Sequence, residues 1–146
     1  MTLSKTVFPF LLLLSFAACQ KETAPDPVNP TLPSGAFTEN LAGVFQHQNG
    51  YNAEGTAQLG TDDANTQWLR LAHDFKASLS TGAVTVYLSK NQNLALNSAD
   101  SFLRVSLVTT PGEHFYKISP AVGDDFKFAI LWCASASVQF GNAELK

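Results

Sequence analysis

The chain carries two cysteines, Cys19 and Cys133, and their positions frame the chemistry open to it. An even cysteine count in an exported protein ordinarily points to a disulfide. Here Cys19 stands at a processing site, so Cys133, at the end of Phe128-Ala129-Ile130-Leu131-Trp132-Cys133, is left as a lone thiol outside the cytosol. Such a thiol either fills space in a core or is kept for redox or ligand chemistry. A reactive thiol must ionise, which takes a nearby cation, a helix N-terminus or a metal. His47, His73 and His114 are the candidate helpers. His47 is the foremost, because strand alternation sets Gly43, Phe45 and His47 on one face, beside a core aromatic. Trp132 would form the packing wall next to the thiol.

Several other chemistries are excluded by spacing. No Cys-x-x-Cys-His occurs, so haem is not attached covalently in the c-type manner. Neither histidine nor methionine follows Cys133, which removes the familiar blue-copper arrangement. One thiol with three scattered histidines is a poor zinc set, and no metal ligands are assigned. Haem held without covalent attachment, with Cys133 or His47 as an axial ligand, stays open. Gly-x-Ser-x-Gly and His-Glu-x-x-His are both lacking. Asp62-Asp63 and Asp124-Asp125 sit beside glycines but lack the ordered acidic spacing of a calcium loop, and read as solvated turns.

The N-terminal third reads as export and tether. Lys5, the apolar run Val7 to Leu14 and the small residues Ala17-Ala18 follow the order of a secretory signal. The run is shorter than the about 20 residues a membrane-spanning helix needs. Phe16-Ala17-Ala18-Cys19 resembles a bacterial lipobox, which makes Cys19 the expected site of lipidation and the membrane the expected anchor. Residues 1–18 are then the lipoprotein signal peptide. Residues 19–35 are a linker with Pro25, Pro27, Pro30 and Pro33, a density that gives an extended, semi-rigid spacer. Gln20-Lys21-Glu22 resembles the short acidic signal that sends some lipoproteins to the cell surface. Outer-membrane anchoring, on the periplasmic or the surface side, is the expected location.

Residues 36–146 read as one all-β domain. Period-two alternation and turn residues recur without a sustained helical stripe. The candidate strands are Leu41–Gln48, Glu54–Gly60, Gln67–Phe75, Ala83–Ser89, Phe102–Val108, His114–Ser119, Asp125–Cys133 and Ser137–Phe140. About eight short strands fit an antiparallel sandwich or a closed barrel. The best helix candidate, Asn97 to Leu103, is too short to change the class. In the seventh strand Phe126, Phe128, Ile130 and Trp132 share one parity and are expected in the core. Cys133 shares the other parity with Lys127, Ala129 and Leu131, so the thiol is expected to leave the main core at the strand end. The formal net charge is −3 with no basic cluster, which excludes nucleic acid as a partner.

The folded part resembles the DM-thirteen domain family. The resemblance runs from Gly43-Val44-Phe45-Gln46-His47 through Gly55-Thr56-Ala57, Leu69-Arg70-Leu71, Val86-Tyr87-Leu88-Ser89 and Tyr116-Lys117-Ile118. It closes on Ile130-Leu131-Trp132-Cys133 and Val138-Gln139-Phe140-Gly141-Asn142-Ala143-Glu144-Leu145. That family places its hallmark cysteine at the position of Cys133. Where it often has Gly-Pro-Asp before the Tyr-Leu-Ser strand, this chain has Gly82-Ala83-Val84. The resemblance implies an all-β fold and an electron-transfer role with a redox partner protein, the cysteine acting as a bare thiol or as a ligand to a group such as haem. The competing expectation is a non-catalytic binding or adhesion module in which Cys133 is a buried filler.

Overall fold

The computed structural model describes residues 32–146, so the expected signal peptide, Cys19 and all but the last residues of the expected linker lie outside the described residues. Within them the chain is an antiparallel β-sandwich, and among the described residues neither sheet closes into a barrel. The strands are β1 (Phe37–Val44), β2 (Gln46–His47), β3 (Ala53–Glu54), β4 (Thr56–Asp62), β5 (Gln67–Leu71) and β6 (Lys76–Ala77). They continue with β7 (Val84–Ser89), β8 (Phe102–Val108), β9 (His114–Lys117), β10 (Phe128–Cys133) and β11 (Val138–Glu144). One sheet has the order β1-β4-β5-β9, the other β2-β11-β10-β7-β8, and β3 pairs β6 alongside them. The eight longer strands correspond to the eight candidates, and the helix candidate is reduced to a single 3₁₀ turn, Ala99–Ser101.

The first candidate strand divides at Phe45, and this division joins the sheets. β1 pairs β4 in one sheet, whereas β2 pairs β11 in the other. Between them Phe45 turns into the core, 4% exposed, and its N–H donates to the Gly55 carbonyl at 2.9 Å. The sheets meet again where Ala42 and Lys146 exchange backbone hydrogen bonds of 3.2 and 3.1 Å. Gly43 is required there, since a Cβ would stand 2.2 Å from the Glu144 carbonyl oxygen. The core between the sheets is built from Leu59, Leu69, Leu71, Phe75, Val84, Val86, Leu88, Ala129, Leu131, Cys133 and Phe140.

Cys133 therefore belongs to the main core, contrary to the expectation from parity. Ala129, Leu131 and Cys133 have no exposed surface and face the opposing sheet. Phe128 and Trp132 are half-buried on the outer face, and Ile130 between them is fully buried there. The physical reason is that both faces of β10 are covered. The segment Lys90–Ser101 folds back over the outer face, where the Leu94 N–H donates to Gln139 Oε1 at 3.0 Å. A strand buried on both sides shows no polar alternation, and side-chain size alone does not mark the inner face.

Asp62 holds the other end of the sandwich. It is 8% exposed rather than solvated, unlike its neighbour Asp63. Oδ2 accepts from the Ser34 N–H at 2.9 Å and from Trp68 Nε1 at 2.9 Å. Oδ1 accepts from the N–H groups of Ala64 at 3.0 Å and Thr66 at 2.8 Å. One carboxylate thus fixes the β4–β5 turn, the buried Trp68 indole and the segment entering β1. Ser34 is bound to the body of the domain, its N–H donating to Asp62 and its carbonyl accepting from the Asp63 N–H.

These bonds, led by that from Ser34, draw the Asp62 carboxyl from its ordinary 3.8 to about 2. Because the folded value is depressed, the stabilisation is present above the ordinary carboxyl range and lost as pH falls through about 2. Thermal melts taken from neutral to acid pH should therefore show Tm falling in that window. Asp62→Asn should lower Tm at neutral pH and remove that part of the acid dependence.

Candidate functional site

β10 reaches its end at Cys133, which pairs Val138 of β11 on one side and Val84 of β7 on the other. The residues that follow, Ala134-Ser135-Ala136-Ser137, are small and turn-forming, and close a tight turn in which Ser137 takes a φ of 51°. The turn folds over the sulfur. Cys133 Sγ and Ser135 Oγ are 3.2 Å apart, and Ser135 Oγ donates to the Thr81 carbonyl at 3.1 Å. The Ala134 N–H donates to the Ala83 carbonyl at 3.3 Å, so the Gly82-Ala83 loop is the other wall. Gly82 has a φ of 125°, and a Cβ on it would stand 2.7 Å from Ser135 Oγ.

Ser135 Oγ has one hydrogen, which it gives to the Thr81 carbonyl beside a thiol and turns to the sulfur beside a thiolate. The Ser135 hydroxyl lowers the Cys133 pKa from its ordinary 9.0, burial opposes it, and the Ala136 N–H, the Thr81 side chain and the Ser135 N–H add to the lowering. Hydrogen bonds to the charged form are one of the ways a thiol becomes acidic without a neighbouring cation. No charged side chain contributes to the shift. The Gly82-Ala83 loop therefore abuts the sulfur's cap, and a carboxylate there would oppose ionisation by like-charge repulsion.

Of the residues singled out by sequence, only Cys133 sits in this site. His47 is exposed and pairs Gly141, which pairs Leu131. That places its Cα two strands across and two residues along from Cys133, roughly 12 Å away. The structure does not bring His47 and the thiol together, and neither His73 nor His114 is among the causes of the thiol's shift. Trp132 is not the wall beside the sulfur, because it projects from the opposite face of β10. The geometry does not fit axial ligation of haem. Cys133 has no exposed surface, its face of β10 is packed core, and His47 lies outside that core. Among the described residues no three His, Cys, Asp or Glu side chains converge as a metal site. Ser135 is the functional residue that sequence reasoning missed. Its signal was a hydroxyl two positions after the cysteine in a run of small residues, the pattern of a side chain bonding its own turn.

The features together are those of an antiparallel β-sandwich with a single capped thiol at one end. Comparison with known families assigns the particular class: the model described as Electron transfer DM13 matches residues 44–145, more than half of the chain. The chain belongs to that family. Neither a curated protein nor a solved structure matches it.

If Ser135 is the main cause of the lowered thiol pKa, Ser135→Ala should move it upward. The measurement is the pH dependence of the thiolate ultraviolet absorbance of the folded protein. A Cys133 titration left unchanged by the substitution would remove Ser135 from the site.

Proposed function

We propose that Cys133 is the redox centre of this electron-transfer domain and works as a bare thiol. The observation that carries the reading is the turn closed over its sulfur, with the Ser135 hydroxyl 3.2 Å from a group that could have been left as inert filler. The thiolate sulfur attacks one oxygen of a hydroperoxide, the O–O bond breaks, and sulfur loses two electrons to become a sulfenic acid as hydroxide or alkoxide departs. A thiol of a partner protein then attacks that sulfur, water leaves, and a mixed disulfide forms that a second thiol reduces. Because the sulfur has no exposed surface, both steps proceed through local opening of the Ala134–Ser137 turn, all four of whose residues are exposed.

The protein in this reading is a lipoprotein of the cell envelope. Acylation of Cys19 ties it to the outer membrane, on the periplasmic or the surface side, and the proline-rich segment holds the domain off the lipid. Cys19→Ala should shift the protein from the membrane fraction to the soluble one and abolish incorporation of labelled fatty acid.

The thiol chemistry is tested on protein carrying Cys19→Ser, so that Cys133 alone reports. Native protein exposed to mild peroxide should accumulate a sulfenic acid trapped at Cys133 by a carbon nucleophile and seen by mass spectrometry. A thiol that stays inert to peroxide in the native state at every pH, yet reacts once unfolded, would make Cys133 a core filler and the domain a binding module.

A further inference from the structure

The outer face of the five-stranded sheet carries a second set of side chains that thiol chemistry does not use. β10 and β11 turn Phe128, Trp132, Gln139 and Asn142 to this side, away from Cys133. Gln139, 7% exposed, organises it. Its Oε1 accepts from the Leu94 N–H at 3.0 Å, and its Nε2 donates to Gln48 Oε1 at 2.8 Å and to the Gln92 carbonyl at 2.9 Å. Asn49 Nδ2 donates to its backbone carbonyl at 2.8 Å. The loop after β2 and the loop after β7 are thereby locked to the sheet.

Two clefts open on either side of this knot. The first, of about 500 Å³, is walled by Trp132 with Gln48, Asn49, Asn93, Leu94 and Ser137, and no ionisable side chain lines it. The second, of about 550 Å³, is lined by Phe128, Gln46, Gln92, Val44 and Asn142. Its two charged side chains, Glu144 and Lys146, neutralise each other at 2.9 Å. Asn142 is 3% exposed, and its Nδ2 has no hydrogen-bond partner. A buried donor left unpaired is costly and asks for a function.

Each cleft thus offers one half-buried aromatic ring and several carboxamides, those of Gln48, Asn49 and Gln139 in the first held in place by hydrogen bonds. A charged ligand would lose hydration here without gaining an opposite charge. Hydroxyl groups both donate and accept, as carboxamides do, so the two match without any net charge. The apolar faces of a sugar ring meet the aromatic walls. We propose that this face binds a neutral oligosaccharide, one ring packed on Trp132 and the chain running past Gln92 so that Asn142 Nδ2 donates to a sugar oxygen. Trp132 and Phe128 are four residues apart on one strand, roughly 13 Å, so the ligand spans more than one ring. The thiol faces the other way, and the two places meet only at Ser137, the last residue of the turn over the sulfur.

The test titrates the intact Cys19→Ser protein with cellotriose, maltotriose, laminaritriose and chitotriose, followed by isothermal titration calorimetry for every variant and by tryptophan fluorescence where Trp132 is present. Trp68, 1% exposed, serves as a constant background, so a change reports Trp132. At least one trisaccharide should bind saturably, and Trp132→Ala should weaken it at least about tenfold. Asn142→Leu should weaken binding while Tm holds or rises, a pairing that a merely structural amide would not give. Cys133→Ala should leave binding unchanged. Failure of all four sugars to bind, or binding that survives Trp132→Ala, would overturn the assignment, whatever becomes of the thiol chemistry.

Discussion

The pairing of β10 between β7 and β11 is the constraint on which the rest of the molecule turns. With both edges hydrogen bonded, the strand cannot slip by one residue without exchanging every inward side chain for an outward one. Such a slip would put Trp132 into the core and Cys133 onto the outer face. Register therefore decides that the thiol is enclosed under its turn and that the indole stands in an amide-lined cleft. The bulge opposite Leu131 and Trp132 lets Phe140 join the core while Gln139 stays outward. The capped thiol and the amide-lined cleft thus lie back to back on a single strand, meeting only at Ser137.

The thiol cap also shows how a site without a cation favours an anion. Burial alone would hold Cys133 protonated, as it does for an inert core cysteine. Here the Ser135 hydroxyl leads the causes that lower its pKa against burial, and its position comes from a four-residue turn and the loop before β7. At the other end Asp62 applies the same principle to a carboxylate, with four donors around one buried charge. In both places the polar group is enclosed because its partners are enclosed with it.

Alternation and turn chemistry made much of the fold legible. Phe102–Val108 lies where alternation places it, and Asn49-Gly50 takes the positive φ angles that residue pair favours in a tight turn. The break at Phe45 was not legible, because it depends on which sheet each half of the segment finds, and that is a long-range choice. The inner face of β10 was misread because the fold-back of Lys90–Ser101 covers the other face too, which no local pattern encodes. At the site Cys133 stood out by composition. Ser135 did not, since its role arises only when its turn closes. His47 illustrates the converse: a histidine next to a core aromatic in sequence still ends on an edge, two strands from the thiol.

The anchorage of Ser34 gives the molecule a polarity. The chain enters the sandwich beside Asp62 and runs the length of β1, roughly 26 Å, before β2 carries it toward the end where the Ala134–Ser137 turn lies. Entry and thiol therefore occupy opposite poles. A support gripping the chain ahead of Ser34 would hold the Asp62 pole nearest to itself and offer the sulfur and the adjoining Trp132 cleft to whatever approaches from the far side. A docking molecule need not compete with the support for space.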